Sequence, residues 1–257
     1  MKLNFTDQGS GPAVILMHGM FGSLSNLGNL GRQLVQQNYR VIAVDLRNHG
    51  DSPHEPEMSI PLMAADIIEL MDDLDLDQAH LVGHSLGGKL GMEMVLQYPD
   101  RVKRLVVGDI APVNYPQSNN DVIEALAALD DSIVASRREA DQLMAEWITD
   151  KTTRAFILKN LQRNTAGDFK LKLNVKSIVA NYSTSLVDAP SGSCYEGPVL
   201  FIKGETSAYI QQKHRPIISA LFPNSEFEMI EGAGHWLHAE KPEQFNHLVI
   251  DFLSANH

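Results

Sequence analysis

Gly83-His84-Ser85-Leu86-Gly87-Gly88 stands between an apolar run, Ala79-His80-Leu81-Val82, and the stretch Lys89-Leu90-Gly91-Met92-Glu93-Met94-Val95-Leu96-Gln97. The run before it reads as a short buried strand and the stretch after it as a helix. Strand, G-x-S-x-G, helix is the context of a nucleophile elbow. Gly83 and Gly87 flank the serine because strand and helix backbones approach closely at such a turn, where Cβ atoms would collide. The turn lifts the Ser85 hydroxyl above the sheet. It also leaves the Leu86 N–H free at a helix N-terminus, suited to a developing oxyanion. The plainer reading is a glycine-rich turn whose serine caps a helix, so the rest of the chain decides between them.

Working back from the elbow, Ala13-Val14-Ile15-Leu16-Met17 is continuously apolar, the pattern of a strand buried on both faces. It runs into His18-Gly19-Met20-Phe21-Gly22-Ser23. Such a loop brings backbone N–H groups to the strand's carboxyl end, and Met20 is the expected second oxyanion donor. His18 reads as a positioning residue rather than a base. Leu3 to Thr6 is an expected edge strand. Ser25 to Gln37 and Pro61 to Leu74 carry helical spacing, and Arg40 to Val44 is another strand. The loop Asp45-Leu46-Arg47-Asn48-His49-Gly50-Asp51-Ser52-Pro53 is charged, and its charges are expected to lock the loop rather than perform chemistry. Asp73-Leu74-Asp75-Leu76-Asp77 fails as a calcium loop, with Gln78 where a glycine is needed and His84 where a glutamate is needed.

Beyond the elbow helix, Val102 to Gly108 reads as a fifth strand, ending at Asp109-Ile110-Ala111-Pro112. From about 113 to 190 the strand–helix alternation stops. Helices are expected at Asp121–Leu129, Arg137–Trp147, Thr152–Leu161 and Val175–Tyr182. This is too long for a connection and reads as a helical cap inserted over the strand ends, dividing the chain into a core of 1–112 and 191–257 and a cap of 113–190. Trp147, Phe156, Leu158, Phe169 and Tyr182 either line the pocket beneath the cap or fill the cap's own small core. The sheet resumes at Gly197–Gly204, followed by a helix from about Gln211 to Leu221 and a last strand, Glu226–Ile230. Glu231-Gly232-Ala233-Gly234-His235-Trp236 then carries a histidine on a flexible turn able to swing toward Ser85. Pro242 starts the final helix.

A serine hydroxyl needs a base to take its proton, and a histidine suits that task because its pKa lies near neutrality. A carboxylate then orients the imidazole and stabilises its charged form. Ser85 and His235 fill the outer roles. The acid is either Asp109 or, after the next strand, Glu205; the usual carboxylate there would fall near Ser207, which is no acid. Asp109 is the favoured candidate. His238 makes a His-x-x-His pair with His235, but no Cys or carboxylate cluster completes a metal site. No cofactor is expected.

The 257 residues are 44% hydrophobic and 21% charged, suiting an α/β domain with a large core. A net charge of −11 argues against nucleic acid and anionic membrane surfaces as partners. No apolar h-region or membrane-length run is apparent. The single cysteine, Cys194, allows no intrachain disulfide and fits a reducing, cytoplasmic setting.

Taken together, the segments His18–Gly22, Asp45–Ser52, Gly83–Gly88 and Gly232–His235 resemble the α/β-hydrolase superfamily. Within it, Asp109-Ile110-Ala111-Pro112 and His235–Pro242 most resemble the small bacterial YbfF-type esterases. That resemblance implies a mostly parallel sheet flanked by helices, and esterase or thioesterase activity on small acyl esters, acyl-CoA among them, beneath a small helical cap. The superfamily places its acid after either of two strands. Two other readings use the same fold: carbon–carbon bond hydrolysis or elimination, and a non-catalytic binding module.

Overall fold

The computed structural model describes residues 1–116, 120–130, 132–163, 167–182 and 186–255. Its centre is a seven-stranded sheet. In chain order the strands are β1 (Phe5–Gln8), β2 (Ala13–Met17), β3 (Arg40–Val44), β4 (Ala79–His84) and β5 (Val102–Gly108). Two more, β8 (Val199–Gly204) and β9 (Ser225–Ile230), follow an insertion that holds a small antiparallel pair, β6 (Leu161–Arg163) and β7 (Phe169–Leu171). The spatial order is β1-β3-β2-β4-β5-β8-β9, with only β1 antiparallel to its neighbour. This is the mostly parallel α/β architecture expected.

Burial on both faces explains the unbroken apolar runs. In β2, Ile15 and Met17 join one core, while Val14 and Leu16 join the other. The same alternation sends Leu105 and Val107 of β5 one way and Val106 the other. Helices α1 (Gly28–Gln36) and α10 (Pro242–Ser254) cover one face through Leu30, Leu34, Phe245 and Val249. Helices α2 (Ile60–Asp73) and α3 (Leu86–Gln97) cover the other through Met63, Ile67, Leu90 and Met94. Among the described residues no helix is long and apolar enough to cross a membrane.

The chain leaves β2 toward β3 on one side, then returns to β4 and continues toward β9 on the other. The strand order therefore reverses between β2 and β4. In open parallel sheets the crevice outside the strands' carboxyl ends at that point is where ligands bind, and β4 ends immediately before Ser85.

Between β5 and β8 lie α4 (Asn120–Asp130), α5 (Arg137–Met144), α6 (Lys151–Ile157) and α7 (Val175–Asn181). The expected helix through Leu161 instead ends at Ile157, passes through one 3-10 turn and becomes β6. The three-residue strands β6 and β7 are too short to carry a period-2 signal. The expected start of a helix at Gln211 gives way to a 3-10 turn, and α8 (Arg215–Leu221) begins where Pro216 is tolerated in its first turn. The first strand lies two residues later than the sequence suggests. Helix α9 (Leu237–Glu240) is a single turn after the histidine loop.

The charged loop after β3 does lock itself. Asp45 accepts hydrogen bonds from the N–H groups of Leu24 (2.7 Å) and Asp51 (3.0 Å) and from Asn4 Nδ2 (2.7 Å). The loop also docks the insertion: Gly50 N–H donates to the Lys172 carbonyl at 2.8 Å, and Asn174 N–H to that of Asn48 at 2.9 Å.

Candidate active site

The elbow is built from glycines because nothing else fits. A Cβ on Gly83 would lie 2.1 Å from the Gly87 carbonyl oxygen, and one on Gly87 would lie 2.2 Å from that of Met17. Ser85 itself sits at φ 52°, ψ −113°, a strained conformation for a residue with a Cβ. It occupies the N-cap position of α3, yet its side chain makes no capping hydrogen bond. The hydroxyl is instead directed at His235, whose Nε2 lies 3.1 Å from Ser85 Oγ.

His235 Nδ1 lies 2.8 Å from Asp109 Oδ2, and the carboxylate is fully buried. Asp109 follows β5 directly, at φ 52°. Its N–H donates to the Ile202 carbonyl of β8 at 2.8 Å, so the neighbouring strand fixes where it emerges. Its Oδ1 accepts from Gly204 N–H at 3.2 Å, and its Oδ2 accepts from the Ser207 hydroxyl. Ser207, where the sequence lacks an acid, is thus a donor to Asp109 at the end of the adjacent strand. Glu205 is exposed and accepts from Gly232 N–H at 2.8 Å. Its carboxylate holds the histidine loop's backbone; it is Asp109 whose carboxylate meets the imidazole.

The turn carrying His235 is held from both sides. Glu240 accepts from Gly234 N–H (2.7 Å) and Trp236 N–H (3.0 Å). His84, the variable residue before the nucleophile candidate, uses Nε2 to donate to the His235 carbonyl at 2.8 Å. Burial holds the His84 ring well below its ordinary pKa, so it remains a neutral donor. No local pattern signals either role, because both depend on contacts across the fold.

The loop after β2 lies against the serine: a Cβ on Gly19 would come within 3.3 Å of Ser85 Cβ. Phe21 adopts φ 62° there. His18 is buried, with Nδ1 donating to the Gly19 carbonyl (2.7 Å) and Nε2 accepting from Leu46 N–H (3.0 Å). Both ring nitrogens are committed to backbone, and burial lowers the pKa to about 4. The ring positions the loop, as expected. Among the described residues neither the Met20 nor the Leu86 N–H donates to a backbone oxygen. Both residues line the same cavity as Ser85.

That cavity measures about 270 Å³, roughly nine water volumes at ~30 Å³ each. Phe156, Ile157 and Leu186 of the insertion form part of its wall, with Ile110 and Trp236 from the core. The Phe156 ring packs at a tilt against Trp236, with centroids 3.9 Å apart and planes 35° apart. Of the five large residues singled out in the insertion, Phe156 and Tyr182 face the cavity; Trp147 and Phe169 pack against the core and Leu158 is buried in it. Lys89 also lines the cavity. It is buried, its Nζ donating to the carbonyls of Val187 (2.6 Å) and Asp188 (2.5 Å), and burial lowers its pKa to about 8. His238 is buried beside His84, with its pKa lowered to about 3 by burial and the nearby His235. Among the described residues no group of His, Cys, Asp and Glu is arranged to hold a metal ion.

Comparison with known proteins identifies the fold family and relatives of the chain. Residues 12–242 match the family model of the alpha/beta hydrolase fold. The chain is 36% identical to the esterase YbfF of Escherichia coli K12, over 99% of this chain and all of that one. It is 37% identical to the mouse sn-1-specific diacylglycerol lipase ABHD11, over 95% of this chain and 81% of the relative. Among solved structures, an esterase from a marine microorganism superposes with a TM-score of 0.93 at 36% identity, covering 98% of this chain and 99% of that one.

Proposed function

The chain belongs to the α/β-hydrolase fold family and is a hydrolase acting on ester bonds; from that premise we propose that it is a serine esterase of small acyl esters, with Ser85 as nucleophile, His235 as general base and Asp109 as the acid that orients it. The observation that carries the reading is the continuous relay of 2.8 Å from Asp109 to His235 and 3.1 Å from His235 to Ser85, opening on an apolar cavity.

In this mechanism His235 Nε2 takes the Ser85 proton as Oγ attacks the ester carbonyl carbon. The carbonyl oxygen becomes an oxyanion, received by the N–H groups of Met20 and Leu86. His235 returns the proton to the departing alcohol or thiol, leaving an acyl-serine. Water then adds to the acyl carbon, gives its proton to His235, and the acid departs as Ser85 is reprotonated. Each oxyanion donor is worth about 3 kcal/mol of barrier. The insertion, residues 113–190, acts as a cap that shapes the pocket and keeps bulk water from the acyl-serine.

Cavity volume supports a small acyl group, since about 270 Å³ lies just under the ~300–1,000 Å³ of ordinary ligand pockets. Thioesters of similar acyl groups fit the same chemistry, because only the leaving atom changes. A cytoplasmic setting suits the lone exposed thiol of Cys194. The test is hydrolysis of p-nitrophenyl esters from acetyl to palmitoyl, with matched acyl thioesters, comparing wild type with Ser85→Ala. Serine-dependent turnover with a short-chain optimum is expected. A long-chain optimum would move the substrate toward the diacylglycerols named for the mouse relative. Equal turnover by folded Ser85→Ala would overturn the assignment.

A further inference from the structure

Two hydrogen bonds fix His235 at Nδ1 and Nε2, but both lie in the ring plane. What sets the tilt of that plane is packing against the ring. Tyr209 is the nearest and most nearly parallel partner, with centroids 4.0 Å apart and planes 24° apart, against 4.8 Å and 44° for His84 and 5.4 Å and 61° for Trp236. Tyr209 lies on the loop after β8, and its place there depends on a second tyrosine. The Tyr115 hydroxyl donates to the Tyr209 carbonyl at 2.6 Å and accepts from Ala111 N–H at 2.8 Å. Ala111 is two residues beyond Asp109. Tyr115 therefore ties the end of β5, which carries the acid, to the loop after β8, which carries the stacking ring.

Tyr115 also stands where the insertion begins. Its own N–H donates to the Val187 carbonyl at 3.0 Å, the same oxygen that accepts from Lys89. The Lys89 ammonium lies 5.0 Å from the Tyr115 ring. Outgoing and returning ends of the insertion thus meet at the residue that holds Tyr209.

We propose that Tyr209 and Tyr115 are positioning residues for ester hydrolysis, Tyr209 setting the plane of the His235 ring and Tyr115 holding Tyr209 in register with Asp109. The proposal rests on the reading of Ser85, His235 and Asp109 given above. A proton relay is sensitive to sub-ångström displacement, and about 1 Å of misplacement costs on the order of 100-fold in rate.

Four variants test it: Tyr209→Leu, Tyr209→Phe, Tyr115→Phe, and Tyr115→Phe combined with Tyr209→Leu. Tyr209→Leu, which keeps bulk but loses the flat ring, is expected to lower kcat by about 10- to 100-fold. Tyr209→Phe keeps the ring and restores most of that loss. Tyr115→Phe removes a hydroxyl already committed to two backbone groups, so kcat falls about tenfold while KM stays within about twofold. The double variant is no slower than Tyr209→Leu alone, because one residue acts through the other. Equal losses for Tyr209→Leu and Tyr209→Phe would overturn the stacking role. An unchanged kcat for Tyr115→Phe, or additive losses in the double variant, would overturn the brace. If Tyr115→Phe does not fold, the Phe and Leu pair at 209 still decides the stacking role. Labelling of Ser85 by a fluorophosphonate separates the two levels: no labelling of the wild type overturns the site reading and the brace with it. A labelled, active wild type whose tyrosine variants label and turn over equally fast overturns the brace alone.

Discussion

Replacing Asp109 by Asn is the substitution whose outcome follows most directly from the contacts. In the wild type both carboxylate oxygens are receivers: Oδ1 from Gly204 N–H at 3.2 Å, Oδ2 from the Ser207 hydroxyl and against His235 Nδ1 at 2.8 Å. Asparagine keeps one oxygen. If that oxygen stays with Gly204, the new NH2 faces His235 Nδ1, and an amide N–H only donates. The imidazole must then accept at Nδ1 and carry its proton on Nε2, toward Ser85 Oγ. That tautomer has no lone pair for the serine proton. The flipped amide sets donor against donor at Gly204 in a fully buried place, an unmade hydrogen bond costing about 1–3 kcal/mol, so the unproductive orientation dominates. The same change in a Ser-His-Asp triad costs about 10⁴ in kcat, or about 5.5 kcal/mol of barrier. Glu205→Gln is the control. Its amide oxygen still serves Gly232 N–H, so this exposed change should shift folding stability by no more than about 0.5 kcal/mol and leave kcat nearly unchanged. The assay is p-nitrophenyl acetate turnover, with thermal melting to show that both variants fold. Retention of more than about a tenth of kcat by Asp109→Asn, or a larger loss for Glu205→Gln, would refute the reasoning and return the acid to the loop after β8.

Acid should unfold this protein earlier than its carboxylates alone would. His18 has its pKa lowered to about 4, and His49 and His238 to about 3, all by burial first. Their folded pKa values lie below the unfolded value, so below pH 6.5 the unfolded chain binds protons that the folded chain refuses. Stability is therefore complete above pH 6.5 and falls as pH drops toward 4. At about 1.4 kcal/mol per pH unit per group, the three together remove on the order of 6 kcal/mol by pH 5. Urea midpoints at pH 8, 6.5 and 5 check this, and a midpoint unchanged between 8 and 5 contradicts it. Ser207→Ala takes one donor from a buried carboxylate. It should lower folding stability by about 2 kcal/mol and reduce kcat far less than Asp109→Asn; a kcat loss equal to that of Asp109→Asn would place the hydroxyl in the chemistry itself.

The fold was legible because its strands are buried on both faces. Ala13–Met17 and Leu105–Val107 carry no polar residue, and that continuity is what a parallel sheet sandwiched by helices requires. Ends of elements were legible where a residue type forces them, as Pro242 does at the start of α10. The insertion was harder. Leu158 to Leu161 continues a helical apolar spacing, yet the chain turns there because Asn160 Nδ2 donates to the Phe21 carbonyl at 2.6 Å, 139 residues away in sequence. Local periodicity carries no record of such a partner, so the spacing extends the helix to Leu161, the first residue of β6, and gives no sign of β7.

The site divides along the same line. Ser85 and His235 announce themselves because each needs a special backbone: glycines that admit a tight turn, and a Gly-Ala-Gly turn after the last strand. The proposed acid, Asp109, does not, and the reason lies in the sheet. Strands β5 and β8 are adjacent and parallel, with Gly108 opposite Ile202, so the loops beyond them open onto one place. The contact between Asp109 and Ser207 shows how close those loops come. A residue of each loop thus stands at the one carboxylate that meets the imidazole. Chain order puts both candidates between serine and histidine, and so cannot choose between them; the contact of the Asp109 carboxylate with His235 Nδ1 at 2.8 Å separates it from an exposed Glu205 bonded to Gly232 N–H. The tyrosines follow the same logic one step further out. Tyr115 and Tyr209 lie 94 residues apart, on loops with no motif, and what joins them is the convergence of the same two strand ends. Where two adjacent parallel strands finish beside a reactive group, the residues that serve it are to be sought in the pair of loops together, because each loop alone looks ordinary.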